Sequence, residues 1–184
     1  EMKTILVIGG SGGARSINES IIEHLHEFEK KDVQIIWQCG SNYYSRALDA
    51  IKHFRLPYVR VLDFIDRMDL AYAAADLIVS RAGAGTISEL ALIKKPVILV
   101  PSPNVAEDHQ TRNAMSLVKK NAAELVKDEE ARYSLVDKAF LILQNDNKMK
   151  ELSENIAKIA KPDSAKRIAE EVIKLADKIY SNES

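Results

Sequence analysis

Short apolar runs alternate with stretches of helical periodicity through most of this chain, and this alternation constrains the fold more than any other feature. Each run is bounded by glycine, proline or polar residues, as is typical of strands that are buried on both faces. The predicted strands cover residues 4–8, 33–37, 58–64, 76–80, 97–100 and 122–126. Strands separated by helices predict a parallel sheet with right-handed crossovers. The sequence therefore predicts an α/β, Rossmann-like doubly wound fold.

The pattern changes after Asp128, where no further strand is predicted. Amphipathic helices are predicted over residues 130–144, 148–159 and 164–180. We find no internal repeat and no low-complexity linker. We therefore expect residues 1–184 to form a single domain.

Residues 76–89, DLIVSRAGAGTISE, combine a strand, a glycine loop and a helix that is predicted to start at Thr86. Such a turn directs free backbone N–H groups and the positive end of the helix dipole at one spot, where a phosphate fits. Glu89 lies one turn further along, where a carboxylate can accept hydrogen bonds from paired sugar hydroxyls. We predict that this segment, including Ile87 and Ser88, holds the diphosphate and ribose of a nucleotide. Alternatively, the Glu89 side chain is solvated or caps the helix. Arg81 either pairs with an acidic neighbour or contacts a ligand.

The loop at residues 9–14 is a second candidate for ligand contact. It follows the first predicted strand and contains four glycines and the hydroxyl of Ser11. The glycine spacing only loosely resembles a dinucleotide fingerprint, and the lysine of a P-loop is missing. Close packing of a helix on a strand would require the same glycines, so both explanations stay open.

Two further groups of residues lie where strands are predicted to end. The helix predicted after Asp108 begins with His109, Gln110 and Asn113, which bring imidazole and amide groups to the carboxyl edge of the sheet. Ligands of open parallel sheets bind along that edge. A polar run at a helix start is more often solvated capping. Ile65 follows the third predicted strand. It either forms the floor of a pocket for a nucleotide base or belongs to the core.

Composition excludes several classes of function. The chain has 184 residues, is 46% hydrophobic and carries a formal net charge of −1, so it lacks the basic footprint of a nucleic-acid-binding protein. Cys39 is the only cysteine, so no internal disulfide can form, which fits a reducing compartment. The apolar runs are too short to span a bilayer, and the start of the sequence lacks a secretory signal. We therefore expect a cytoplasmic domain.

No motif for metal binding or nucleophilic catalysis is present. The sequence contains no HExxH, no CxxC and no nucleophile elbow. His24, His26 and His53 are interpreted as surface residues, and Asp66 and Asp69 as residues near a helix start rather than a metal pair. We expect no metal, and we predict no catalytic residue in this chain.

Three motifs together resemble one known family. IGGSGGARSIN, DFIDRMDLAYAAADLIVSRAGAGTISELALIKKPVILVP and EDHQTRNA are similar, in order and spacing, to the C-terminal half of the MurG family. The resemblance implies the donor-binding half of a two-lobed glycosyltransferase B fold. It implies transfer of GlcNAc from UDP-GlcNAc to lipid I, giving lipid II of peptidoglycan synthesis, with UDP-GlcNAc as the donor substrate and no cofactor.

The resemblance also implies that two lobes carry different parts of the reaction. The acceptor site, the general base and the membrane-contacting patch belong to the N-terminal lobe of the family, which we do not find in this sequence. We therefore expect this chain to bind UDP-GlcNAc without turning it over alone. The full-length protein is expected to be peripheral at the inner face of the cell membrane.

Individual residues receive roles from the same resemblance. Those expected to face the diphosphate are Ser11, Ala84, Gly85 and Thr86. Ile65 would offer its backbone to the uracil, and Glu89 would bind the ribose hydroxyls. Those expected to contact the GlcNAc hydroxyls are Gln110, His109 and Asn113. The family commonly carries glutamine at position 109 and a larger apolar residue at position 85.

Two other functions fit the same pattern. One is a free-standing GlcNAc-transferase subunit that works with a separate membrane-anchored partner. The other is a non-catalytic nucleotide-sugar-binding module, because a fold does not determine a function.

Overall fold

The architecture is a parallel sheet between two layers of helices. A computed structural model describes residues 2–10, 12–103, 108–162 and 173–174 of the chain. The strands of the described part are β1 (Lys3–Ile8), β2 (Val33–Gln38), β3 (Val59–Leu62), β4 (Leu77–Ser80), β5 (Val97–Leu99) and β6 (Glu124–Leu125). They form one six-stranded sheet in the order β3-β2-β1-β4-β5-β6, and every pair of neighbours within these described residues is parallel. The predicted fold class is confirmed.

Helices connect the strands and continue beyond the last of them. In the described residues they are α1 (Arg15–Glu23), α2 (Leu25–Phe28), α3 (Ser41–Ile51), α4 (Met68–Ala74), α5 (Ala84–Ile93), α6 (His109–Val118), α7 (Asp128–Leu143) and α8 (Asp146–Ala157). The two helices predicted over residues 130–144 and 148–159 correspond to α7 and α8. The helix predicted over residues 164–180 lies outside the described residues, apart from positions 173 and 174.

The core has two layers because successive strand residues point to opposite faces of the sheet. Ile5 and Val7 of β1 face one layer, which α1, α2, α3 and α7 cover. Leu6 faces the other layer, which α4, α5 and α6 cover. Helix α8 joins both layers, through Leu152 on one side and Ile156 on the other. This double burial explains the near-continuous apolar runs from which the strands were predicted.

The register places the ends of three strands side by side. Ile8, the last residue of β1, pairs with Gln38 of β2 and with Ser80 of β4. The strand order reverses between β1 and β4, and this topological switch point is where open α/β sheets bind their ligands. The loops that follow β1 and β4 therefore start next to each other at the carboxyl edge.

Candidate nucleotide-binding site

The glycine turn after β1 is held against the end of β2. The backbone N–H of Gly9 donates to the carbonyl oxygen of Gln38 at 2.9 Å, and the N–H of Gly10 donates to the Gln38 side-chain oxygen at 3.2 Å. The N–H of Gly13 donates to the Gly10 carbonyl oxygen at 3.0 Å and closes the turn. Gly10 and Gly13 have φ angles of 74° and 80°, a region that favours glycine. The turn is thus fixed before any ligand arrives.

The four glycines of this turn have two different environments. A Cβ on Gly9 would lie 2.9 Å from a backbone carbonyl oxygen at the end of β2, and one on Gly13 would overlap the next carbonyl oxygen of that segment. A Cβ on Gly10 or Gly12 would meet no atom of the described residues within 4 Å. Close packing therefore explains Gly9 and Gly13, whereas Gly10 and Gly12 border open space. Ser11 lies outside the described residues, and its contact with a diphosphate stays a prediction.

The second glycine turn leads from β4 into the open first turn of α5. The helix begins at Ala84, two residues before the start that the apolar pattern indicated, and no side chain caps it at Gly83. The N–H of Ile87 donates to the Gly83 carbonyl oxygen at 2.9 Å, whereas the N–H groups of Ala84, Gly85 and Thr86 precede the first intrahelical bond. Ala84 and Gly85 are exposed. These groups and the helix dipole can therefore meet a phosphate from solvent.

Helix α6 clamps the second glycine turn. The side-chain oxygen of Gln110 accepts from the N–H of Ala82 at 3.2 Å and from the N–H of Ser102 at 2.9 Å. The side-chain amide of Asn113 donates to the carbonyl oxygen of Ala82 at 3.2 Å. Both lone pairs of the Gln110 oxygen are engaged, so a contact from Gln110 to a sugar has to come from its NH₂ group. His109, also predicted to contact the sugar, is exposed at the first residue of α6.

Arg81 joins four elements of this edge. Its Nη1 donates to the carbonyl oxygens of Val100 at 3.1 Å and Pro101 at 3.2 Å, and pairs with the carboxylate of Asp128. Its Nη2 lies 3.2 Å from the hydroxyl of Ser16, which donates to Asp128 at 2.5 Å. The acidic-neighbour explanation of Arg81 is thereby confirmed. The guanidinium connects the ends of β4 and β5 with the first turns of α1 and α7.

Glu89 presents an exposed carboxylate on α5. Among the ion pairs formed by the described residues, none includes Glu89, and its Oε2 accepts a hydrogen bond from the Tyr72 hydroxyl at 3.2 Å. Burial, followed by the charge of Glu89, raises the pKa of Tyr72 to about 12, so the hydroxyl remains a donor at neutral pH. Ile65 is buried in the same core cluster as Tyr72. Its side chain belongs to the core, and its backbone contact with uracil stays a prediction.

A cleft of about 650 Å³ opens at the same edge of the sheet, on the side of α1 and α7. Gly9, Arg81 and Gln110 belong to its lining. Thr86 and Glu89 are not part of that lining. The predicted binding residues therefore meet along one edge but do not share one enclosed pocket.

The isolated histidines and the aspartate pair form no metal site. No group of three or more His, Cys, Asp or Glu side chains in the described residues is arranged to hold a metal ion. His26 and His53 are exposed as predicted, whereas His24 is half-buried and its Nδ1 lies 2.8 Å from a backbone carbonyl oxygen of α1. Asp69 pairs with Arg67 in the first turn of α4. Whether the donor binds without a metal stays a prediction.

No helix in the described ranges is sufficiently long and apolar to cross a membrane.

The strand order and the two glycine turns at its switch point define a doubly wound, Rossmann-type α/β domain, a class that binds ligands at the carboxyl edge of its sheet. Residues 4–168 match the family model described as the glycosyltransferase family 28 C-terminal domain. The chain belongs to that family.

Similar proteins support the same assignment. The chain is 56% identical over 179 residues to a protein of Bacteroides thetaiotaomicron, covering 96% of this chain and 48% of that protein. It is 57% identical over 178 residues to one of Bacteroides fragilis, covering 96% and 47%. Both relatives are named UDP-N-acetylglucosamine–N-acetylmuramyl-(pentapeptide) pyrophosphoryl-undecaprenol N-acetylglucosamine transferase.

A solved structure has the same fold. The crystal structure of MurG from Acinetobacter baumannii superimposes with a TM-score of 0.82 at 29% identity, covering 95% of this chain and 50% of that chain. The resemblance to the MurG family is confirmed. The chain spans about half the length of these relatives.

Proposed function

We propose that this chain is the donor-binding domain of an inverting glycosyltransferase that moves GlcNAc from UDP-GlcNAc to lipid I and forms lipid II. The observation that carries the proposal is the pair of glycine turns at the switch point. One of them opens into an uncapped helix, and an exposed carboxylate follows one turn along that helix. The names of the relatives supply the sugar and the acceptor.

The diphosphate binds, on this proposal, at the first turn of α5. The N–H groups of Ala84, Gly85 and Thr86 donate to its oxygens, and Ser11 is expected to contact the same diphosphate. During transfer the bond between the sugar carbon C1 and the β-phosphate oxygen breaks, and UDP leaves with the electron pair. Donors that are already in place and the positive end of the helix dipole stabilise the charge that develops on UDP. This stabilisation requires no metal.

The nucleoside and the sugar take opposite directions from the diphosphate. Glu89 accepts from the ribose hydroxyls, and the backbone of Ile65 contacts the uracil. The NH₂ group of Gln110 and the side chain of His109 contact the GlcNAc hydroxyls. We assign Asn113 an indirect role, because its amide fixes the carbonyl group of Ala82 in the second glycine turn.

The acceptor half of the reaction is assigned to the part of the relatives that this chain does not cover. The 4-hydroxyl oxygen of the N-acetylmuramyl sugar forms the new bond to C1, and a general base takes its proton. We assign that base, the lipid I site and the membrane contact to the uncovered part. The full-length protein would act in the cytoplasm as a peripheral protein at the inner face of the membrane.

A calorimetric titration of residues 1–184 with UDP-GlcNAc, UDP-glucose and ADP-ribose tests the donor assignment. We expect selective binding of UDP-GlcNAc, and we expect Glu89→Ala to weaken it strongly while the diphosphate contacts keep the affinity measurable. Glu154→Ala is the matched control, because Glu154 is an exposed glutamate of another helix, α8. Equal binding of all three ligands, or none, would favour a non-catalytic module. Incubation of the chain with lipid I and UDP-GlcNAc should give no lipid II, and product formation would contradict the assignment of the base.

A further inference from the structure

Tyr72 places a hydroxyl group at a fixed point beside α5. Tyr72 is 7% exposed and belongs to the core cluster that contains Ile65, Ala71 and Leu90. Helix α4 carries Tyr72 and packs in the same layer as α5. Because protein interiors are close-packed, the buried ring has no room to change rotamer, and the position of its hydroxyl is fixed by the fold.

That hydroxyl donates to one oxygen of an otherwise exposed carboxylate. The Tyr72 oxygen lies 3.2 Å from Oε2 of Glu89, and the high pKa of Tyr72 keeps the proton in place at neutral pH. A glutamate on a helix surface samples many rotamers, and ligand binding would have to select one of them. The hydrogen bond from Tyr72 makes that selection before the ligand arrives.

We infer that Tyr72 is a positioning residue of the donor site, which orients Glu89 so that the carboxylate accepts both ribose hydroxyls and thereby discriminates ribonucleotides from 2′-deoxyribonucleotides. The inference rests on the proposed function, since it takes Glu89 as the ribose ligand. A carboxylate offers two acceptor positions on each oxygen. Tyr72 occupies one position on Oε2, so enough positions remain for the 2′- and 3′-hydroxyls.

Tyr72→Phe removes only the hydroxyl, and its effect is read from the affinities for UDP and 2′-deoxy-UDP. We expect UDP affinity to fall about tenfold, because about 1.4 kcal/mol corresponds to a factor of ten and hydrogen bonds to charged groups reach that value. Affinity for 2′-deoxy-UDP, which keeps only the 3′-hydroxyl contact with Glu89, should fall by only about threefold, so the variant loses part of its discrimination. Tyr133→Phe is the matched control, because Tyr133 on α7 is 70% exposed.

A double-mutant cycle separates an effect through Glu89 from a general structural effect. In the Glu89→Ala background, Tyr72→Phe should leave the affinity for UDP unchanged. Either of two results overturns the role of Tyr72 and leaves the proposed function intact. In the first, Tyr72→Phe weakens the binding of both nucleotides equally. In the second, Tyr72→Phe keeps the discrimination of the wild type while Glu89→Ala loses it. If Glu89→Ala itself leaves UDP affinity and discrimination unchanged, the proposed ribose contact fails, and the inference fails with it.

Discussion

Gly13→Ala tests whether the turn after β1 is built by close packing. Gly13 has a φ of 80°, and a left-handed conformation costs a residue with a Cβ about 1–2 kcal/mol. The new Cβ would also overlap the carbonyl oxygen of Cys39 and lie 3.1 Å from Nδ2 of Asn18. Asn18 donates to that carbonyl oxygen at 2.8 Å and accepts from the indole of Trp37 at 2.9 Å. Displacing the turn therefore disturbs two buried hydrogen bonds, each worth about 1 kcal/mol.

These contributions add to a loss of about 3–4 kcal/mol in the free energy of unfolding. In a chain of this size the loss corresponds to a fall in Tm of roughly 10 °C. Urea denaturation followed by circular dichroism measures the first quantity, and calorimetry measures the second. Gly12→Ala is the matched control, because its Cβ would meet no described atom within 4 Å, and it should change stability by less than about 0.5 kcal/mol. A loss below about 1 kcal/mol for Gly13→Ala, or equal losses for both variants, would show that close packing does not build this turn.

Three other substitutions probe stability in different parts of the domain. Asp128→Asn should cost about 2 kcal/mol in urea denaturation at pH 7, since a neutral amide no longer balances Arg81, and an unchanged midpoint would contradict the proposed connection. Burial raises the pKa of Glu124, but the two lysines beside it outweigh burial and hold this pKa below 4.5, so Glu124→Gln should cost stability at pH 7. The difference in the free energy of unfolding between Glu124→Gln and the wild type should shrink as pH falls below 4.5. A difference that stays constant with pH would contradict the lowered pKa of Glu124. Tyr72 keeps its proton between the unfolded pKa of 10 and the folded value of about 12, so stability falls as pH rises through this range. At about pH 11 the free energy of unfolding of the wild type should therefore have fallen by about 1.4 kcal/mol more than that of Tyr72→Phe. Parallel pH profiles of stability for the two proteins would exclude the raised pKa of Tyr72.

The fold could be predicted because its signals are local. Each strand is an apolar run between turn residues, and each crossover carries its own helical periodicity, so the order of the elements follows from short windows of sequence. The start of α5 at Ala84 was predicted two residues too late. The apolar pattern begins only at Ile87, whereas the first helical turn consists of small residues that carry no such signal.

The site could be predicted only in part, because its decisive contacts are long-range. The two glycine turns are visible in the sequence, but nothing near Arg81 indicates that Asp128 is its partner. Gln110 and Asn113 were identified by residue type, yet their clamping of the Ala82 peptide depends on the packing of α6. Tyr72 was missed, because its spacing on a short helix is that of an ordinary core residue.

A crystal structure of the chain with UDP-GlcNAc would show directly whether the first turn of α5 binds the diphosphate. We predict diphosphate oxygens within about 3.2 Å of the backbone nitrogens of Ala84, Gly85 and Thr86, with the ribose hydroxyls against Glu89. A diphosphate bound instead in the cleft beside Arg15, with Glu89 free of the ribose, would contradict it.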